Sequence, residues 1–319
     1  MKIGTRAASW GYRAGWAAVK WLPERAGRSM AVAAADFTYR RNGKGVRRLR
    51  SNLARVVPAD RLEATVQAGM RSYARYWLEA FRLQVTPRKV ILAGEVAGFD
   101  LIEKARAEER GVLVALPHMG NWDMAGAWFI LRGFPFTTVQ ERLRPEDLFD
   151  RFVAYRTHIG MEVLPLTGGE QPPFGVLARR LREGGAVCLV ADRDLSRHGV
   201  EVEFFGARTR MPGGPATLAI RTGAVLLAAA VWYDGAGWAA QVGPEVPVPA
   251  DGTEAEKVAS MTQQLADHFA AAIAAHPEDW HMLQRLWLDD LHPDDPRRSH
   301  PTEPPTEPPA DEPPGERAG

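Results

Sequence analysis

From Val90 onward the chain alternates short apolar runs with stretches of helical periodicity, and nothing else in its 319 residues limits the fold so tightly. GVLVALPH, FTTVQ, MEVLPL and AVCLVADRD each read as a short strand with apolar residues. NWDMAGAWFILRG, PEDLFDRFVAYRTHIG and FGVLARRLREGG, which separate them, space their apolar residues at helical intervals. Strands that alternate with crossover helices predict an α/β fold with a central sheet flanked by helices. Further on come VEVEFF, a tight MPGGP turn, a helical ATLAIRTG, and the runs VLLAAAVWY and GWAAQVG, which can pair as a hairpin. The sheet is therefore expected to be mixed. Residues 254–275 and 278–288 read as closing helices, and Trp280, Leu283 and Leu286 as the buried face of the second.

Three regions are expected. Residues 1–85 form a helical N-terminal region, in which 47–82 carries apolar positions such as Val66, Met70, Tyr73, Tyr76 and Trp77 at helical spacing. Residues 86–291 form the α/β core. Residues 292–319 hold nine of the 24 prolines and almost nothing apolar, so they predict a disordered tail.

Net charge is only +1, which argues against a general nucleic-acid binder, but it is unevenly placed. Residues 1–60 carry thirteen Lys and Arg against three acids, a balance of +10. Arg13 and Lys20 interrupt the best N-terminal candidate for a spanning helix. Trp10, Tyr12, Trp16 and Trp21, interleaved with Lys2, Arg6, Arg13 and Lys20, have instead the composition of a segment lying on an anionic membrane surface. The expected location is the cytoplasmic face of the membrane, held peripherally. A lone cysteine, Cys188, excludes a disulfide framework or a thiolate metal cluster within one chain, and no metal is expected.

Chemistry concentrates in LVALPHMGNWDMAGAW, where a strand pattern ends at Pro117 and a helical one begins near Asn121. His118 thus falls beyond the carboxyl end of a strand, where ligands of open α/β sheets bind. Asp123 is placed in the first helical turn. The pair suggests a carboxylate that sets the imidazole tautomer while the other ring nitrogen takes a proton from a hydroxyl. A capping Asn121 or Asp123 beside a solvent-facing His118 is the competing explanation.

At HMGNWD (118–123), QERLRPEDLFDRFVAYR (140–156), ADRDLSRHGVEVEFFG (191–206), MPGGPATLAIRTGA (211–224) and HPEDWHMLQRLW (276–287) the sequence resembles the bacterial lipid A acyltransferase superfamily. Within it the chain is most similar to the actinobacterial phosphatidylinositol mannoside acyltransferases. The resemblance covers most of the chain and implies a glycerolipid-acyltransferase-like fold. It implies His118 as base and Asp123 as its orienter in acyl transfer from a thioester to a hydroxyl, with no cofactor beyond acyl-CoA as co-substrate. The donor it implies is palmitoyl-CoA, and the acceptor is the 6-hydroxyl of the mannose on the inositol 2-position of a phosphatidylinositol mannoside.

Glu141 and Arg156 are implied by the resemblance to organise the acceptor site. Asp192 and Arg193 follow the strand AVCLVA, where an acid can bind sugar hydroxyls or support His118; the resemblance implies a glutamate at the place held here by Asp192. Arg208 and Arg210, ahead of the MPGGP turn, suit the phosphates of CoA or phosphoinositol. Other outcomes for the same residues are transfer to a lipid A precursor or another glycolipid, a thioesterase, and a non-catalytic protein that binds lipid or acyl-CoA.

Overall fold

The computed structural model describes residues 22–142, 146–194, 198–292 and 295. The expectations for the aromatic segment before Leu22, and for nearly all of the proline-rich tail, lie outside these. Four helices come first: α1 (Glu24–Arg41), α2 (Lys44–Leu53), α3 (Ala59–Arg82) and the single turn α4 (Arg88–Ile91). Then strands and helices alternate as β1 (Glu95–Ala97), α5 (Phe99–Ala107), β2 (Val112–Leu116), α6 (Trp122–Leu131), β3 (Phe136–Gln140), α7 (Glu146–Ile159), β4 (Glu162–Pro165), α8 (Pro173–Arg182) and β5 (Ala186–Val190). The chain continues through β6 (Val200–Phe204), β7 (Ala207–Met211), α9 (Gly214–Thr222), β8 (Val225–Trp232), β9 (Ala239–Glu245) and α10 (Glu254–Ala275).

Seven strands form one sheet in the order β1-β9-β8-β2-β5-β3-β4, and β6 and β7 pair separately as a hairpin. The pairings β8-β2, β2-β5, β5-β3 and β3-β4 are parallel, as short strands joined by crossover helices must be, while β8 and β9 pair antiparallel as the expected hairpin. The central strand β2 is buried along its length and feeds two cores by alternation. Val112 and Val114 pack with Phe99, Ile102, Trp128 and Phe129 on one face; Leu113 and Ala115 pack with Leu177, Leu181 and Phe269 on the other.

Residues 47–82 are helical as expected, in two helices: the chain turns between Leu53 and Ala59, because Pro58 lacks an amide hydrogen and disfavours helical geometry at Val57. One helical expectation is corrected: residues 278–288 are not an α-helix. Short 3-10 turns at Pro277–Asp279 and Leu288–Asp290 flank an extended Trp280, which bridges Met119. Trp280 and Leu286 are buried as expected, but a loop takes the backbone bonds that a helix would have used: His281 N–H donates to His118 O at 2.8 Å, and Gly120 N–H to Asp279 O at 2.9 Å. Among the described residues no helix is long and apolar enough to cross a membrane.

Candidate active site

Register places the first pair of side chains. Strands β2 and β5 run parallel with Leu116 opposite Val190, so the residues two places beyond each strand, His118 and Asp192, emerge side by side at the same rim. His118 Nδ1 lies 2.5 Å from Asp192 Oδ1, and Asp192 Oδ2 accepts the His118 backbone N–H at 3.0 Å and the Trp280 indole N–H at 3.0 Å. Burial of Asp192 would push its carboxyl up, but the His118 charge, the His118 ring, the Trp280 indole and the His118 amide together hold it below the usual carboxylate range. An ionised carboxylate only accepts, so Nδ1 carries the proton and Nε2 is left as the basic nitrogen. The His118 side chain is 25% exposed and Asp192 is fully buried, so the pair opens to solvent through the imidazole alone. An aspartate, where the resemblance implied glutamate, spans the distance directly. Gly120 holds the loop: its φ is +58°, and any Cβ there would sit 2.3 Å from the Val231 carbonyl.

Asp123 does not meet His118, and this corrects its expected place as the imidazole's orienter. It lies in the first turn of α6 as predicted, 1% exposed, with both oxygens gripped by the Arg156 guanidinium: Nε to Oδ1 at 2.7 Å and Nη2 to Oδ2 at 3.1 Å. The Tyr76 hydroxyl donates to Oδ2 at 3.0 Å, and Arg156 Nη1 donates to Gln140 Oε1 at 3.0 Å. Burial opposes the Arg156 charge and the adjacent Asp123 more than restores it; burial and the same acid push the Tyr76 phenol well above its usual range, so it remains a donor. Trp122 links the two carboxylates, stacked on Tyr76 at 4.3 Å and edge-on to the His118 ring at 5.7 Å. Asn121 caps α6 by accepting the Met124 N–H, and its amide donates to Glu79 Oε2 at 2.9 Å. The capping explanation thus holds for Asn121 alone.

The remaining site residues divide. Glu141 lies one residue beyond β3 and pairs with Arg193 at 3.2 Å, so both stand at the His118 end of the sheet. Arg208 and Arg210 lie on the β6-β7 hairpin. Arg208 is paired with Glu201 at 3.1 Å and its side chain is 64% exposed, whereas Arg210 is buried, its carbonyl accepting the Asp194 N–H. Sequence reasoning missed Tyr76, whose spacing with Tyr73 and Trp77 suggested only packing, and Trp280, which falls in a block taken as structural.

An apolar cavity of about 130 Å³ lies between the sheet and α6, walled by residues such as Val114, Phe129, Val190 and Ala229, with Asp123 and Arg156 in its lining. Cys188 lines it too, and burial pushes its thiol up to about 12, far from a reactive thiolate.

An imidazole backed by a buried acid at the sheet's rim, separated from an apolar cavity by Trp122, is suited to acyl transfer, and the comparisons with known proteins agree. The chain belongs to the bacterial lipid A biosynthesis acyltransferase family, which it matches over residues 2–289. It is 52% identical over 291 residues to a phosphatidylinositol mannoside acyltransferase of Mycobacterium tuberculosis, covering 89% of this chain and 90% of that protein. It is 50% identical over 295 residues to the Mycolicibacterium smegmatis protein of the same name, covering 91% and 94%.

Proposed function

We propose that this chain transfers a palmitoyl group from acyl-CoA to the 6-hydroxyl of the inositol-2-linked mannose of a phosphatidylinositol mannoside, working peripherally at the cytoplasmic face of the membrane. The observation that carries the reaction is the His118–Asp192 pair, whose imidazole is open to solvent and lies edge-on to Trp122, a residue of the cavity wall. The names of the two relatives support a phosphatidylinositol mannoside as the acceptor, and the donor and the hydroxyl are those the family resemblance implies.

In this mechanism His118 Nε2 removes the proton of the acceptor hydroxyl, and Asp192 steadies the imidazolium that forms. The hydroxyl oxygen attacks the thioester carbonyl and a tetrahedral oxyanion results. Backbone amides at the start of α6 supply donors to it, helped by the helix dipole. Collapse breaks the C–S bond, and the departing thiolate takes the proton from His118, leaving an ester and free CoA. The acyl chain enters the cavity. A volume of about 130 Å³ is near the roughly 150 Å³ that accepts a benzene, so a long chain must run past it or displace lining side chains. Glu141 and Arg193 meet the sugar, and of the two hairpin arginines Arg208 is the one open to phosphate.

CoA release from palmitoyl-CoA, with and without phosphatidylinositol mannosides, tests this. Release that needs the acceptor, yields the 6-O-acyl product by mass spectrometry and disappears in His118→Ala is expected. Release indifferent to acceptor would mean a thioesterase, and product formed equally well by the variant would remove His118 from the mechanism.

A further inference from the structure

The C-terminal stretch touches the active centre at three points. Its backbone lies antiparallel to the His118 loop, through the Gly120–Asp279 and His118–His281 bonds and the Met119–Trp280 bridge. Its Trp280 indole N–H reaches Asp192 Oδ2 at 3.0 Å. Its far side is tied to α3, where the Ser72 hydroxyl donates to Asp279 Oδ1 at 2.6 Å and lies 2.8 Å from His281 Nε2, while Tyr233 N–H donates to Asp279 Oδ2 at 2.8 Å. Ser72 has one hydrogen and gives it to Asp279, so it accepts from His281 Nε2–H. His281 is thereby a neutral donor, and burial followed by the charge of nearby His118 pushes its imidazole down to about 3.

Asp192 Oδ2 has one backbone and one side-chain donor, and only the side-chain donor can be removed by mutation. Without it the carboxylate is held on Oδ2 by a single amide and can turn away from Nδ1, inside a pocket where no solvent replaces the lost bond.

We propose that Trp280 is a positioning residue of this centre: its indole N–H fixes the Asp192 carboxylate against His118 Nδ1, and residues 279–281 are strapped to Ser72 so that the indole stays in register. The kinetic part of this inference rests on the acyl-transfer reading above; the geometric part does not.

The test uses the full-length protein in two variants. Trp280→Phe removes the donor, but the indole is fully buried against Phe204 and Trp287, and the smaller ring can disturb folding. Replacement of Trp280 by 3-benzothienylalanine keeps the shape and puts sulfur where the N–H was. Without any substrate, the low-field proton resonance of His118 Nδ1–H, identified by its absence in His118→Ala, is expected to move and to exchange faster with water in the benzothienyl protein. In the acyl-transfer assay kcat is expected to fall about tenfold while KM for acyl-CoA stays within about twofold. An unchanged resonance in the benzothienyl protein overturns the proposal. A changed resonance in a protein that transfers no acyl group to mannosides, in wild type or variant, leaves Trp280's role standing and defeats the proposed function instead.

Discussion

Asp123 and Asp192 are equally buried carboxylates, and they differ in what they face. Asp123 is held by an arginine and a phenol, groups that stay cationic and neutral respectively, so its pair is closed and static. Asp192 is held by an imidazole and two N–H donors, and the imidazole can change its charge and is partly open to solvent. Burial therefore does not separate the acid proposed to act in the reaction from the one proposed to be architectural. The partner does.

The strongest way to break this distinction is to remove the reactive side. Asp192→Asn should lower kcat by about 10⁴-fold, read as CoA release, because the amide lets the imidazole take the wrong tautomer. A variant that keeps a tenth of wild-type activity would return Asp192 to the scaffold. Next comes the architectural side: Asp123→Ala leaves the Arg156 charge buried without its acid and should destabilise the fold by about 3–5 kcal/mol in urea unfolding. Equal stability in that variant would mean that Asp123 matters only to chemistry.

Tyr76→Phe should cost about 1–2 kcal/mol by the same measurement, one hydrogen bond to a charged acceptor. His281 sharpens the picture through pH. Its imidazole is neutral in the fold down to about 3 but titrates near 6.5 when unfolded, so the unfolded chain gains a proton that the folded one refuses and stability drops as pH falls below 6.5. His281→Gln should lessen the difference in urea midpoint between pH 7 and 5.5, a window in which ordinary carboxylates stay ionised. The smallest effect belongs to the exposed rim: Glu141→Gln should leave stability within about 0.5 kcal/mol and raise KM for the mannoside acceptor more than it lowers kcat.

The alternating runs made the sheet legible, and residues beyond strand ends were recognisable as candidate site residues because the rim of an α/β sheet is a matter of local pattern. Pairing across the rim was not. Asp123 is five residues from His118 and Asp192 is 74, yet the distant one is the partner, since parallel register rather than chain distance brings them together. Trp280 was hidden for a related reason. Its spacing with Leu283 and Leu286 is helical, and only the backbone bonds claimed by the His118 loop show why the segment is extended. Tyr76 was visible as part of a buried helical stripe, but a phenol on such a stripe reveals its acceptor only when the neighbouring element is in place.

The Ser72–His281 contact joins residues 209 positions apart, with the His118 loop between them in sequence. A ribosome making this chain delivers the proposed base, His118, then Asp192, and Trp280 only 88 residues after that. A product terminated before residue 280 that retains His118 and Asp192 therefore lacks the indole donor and the Ser72 contacts proposed to align them.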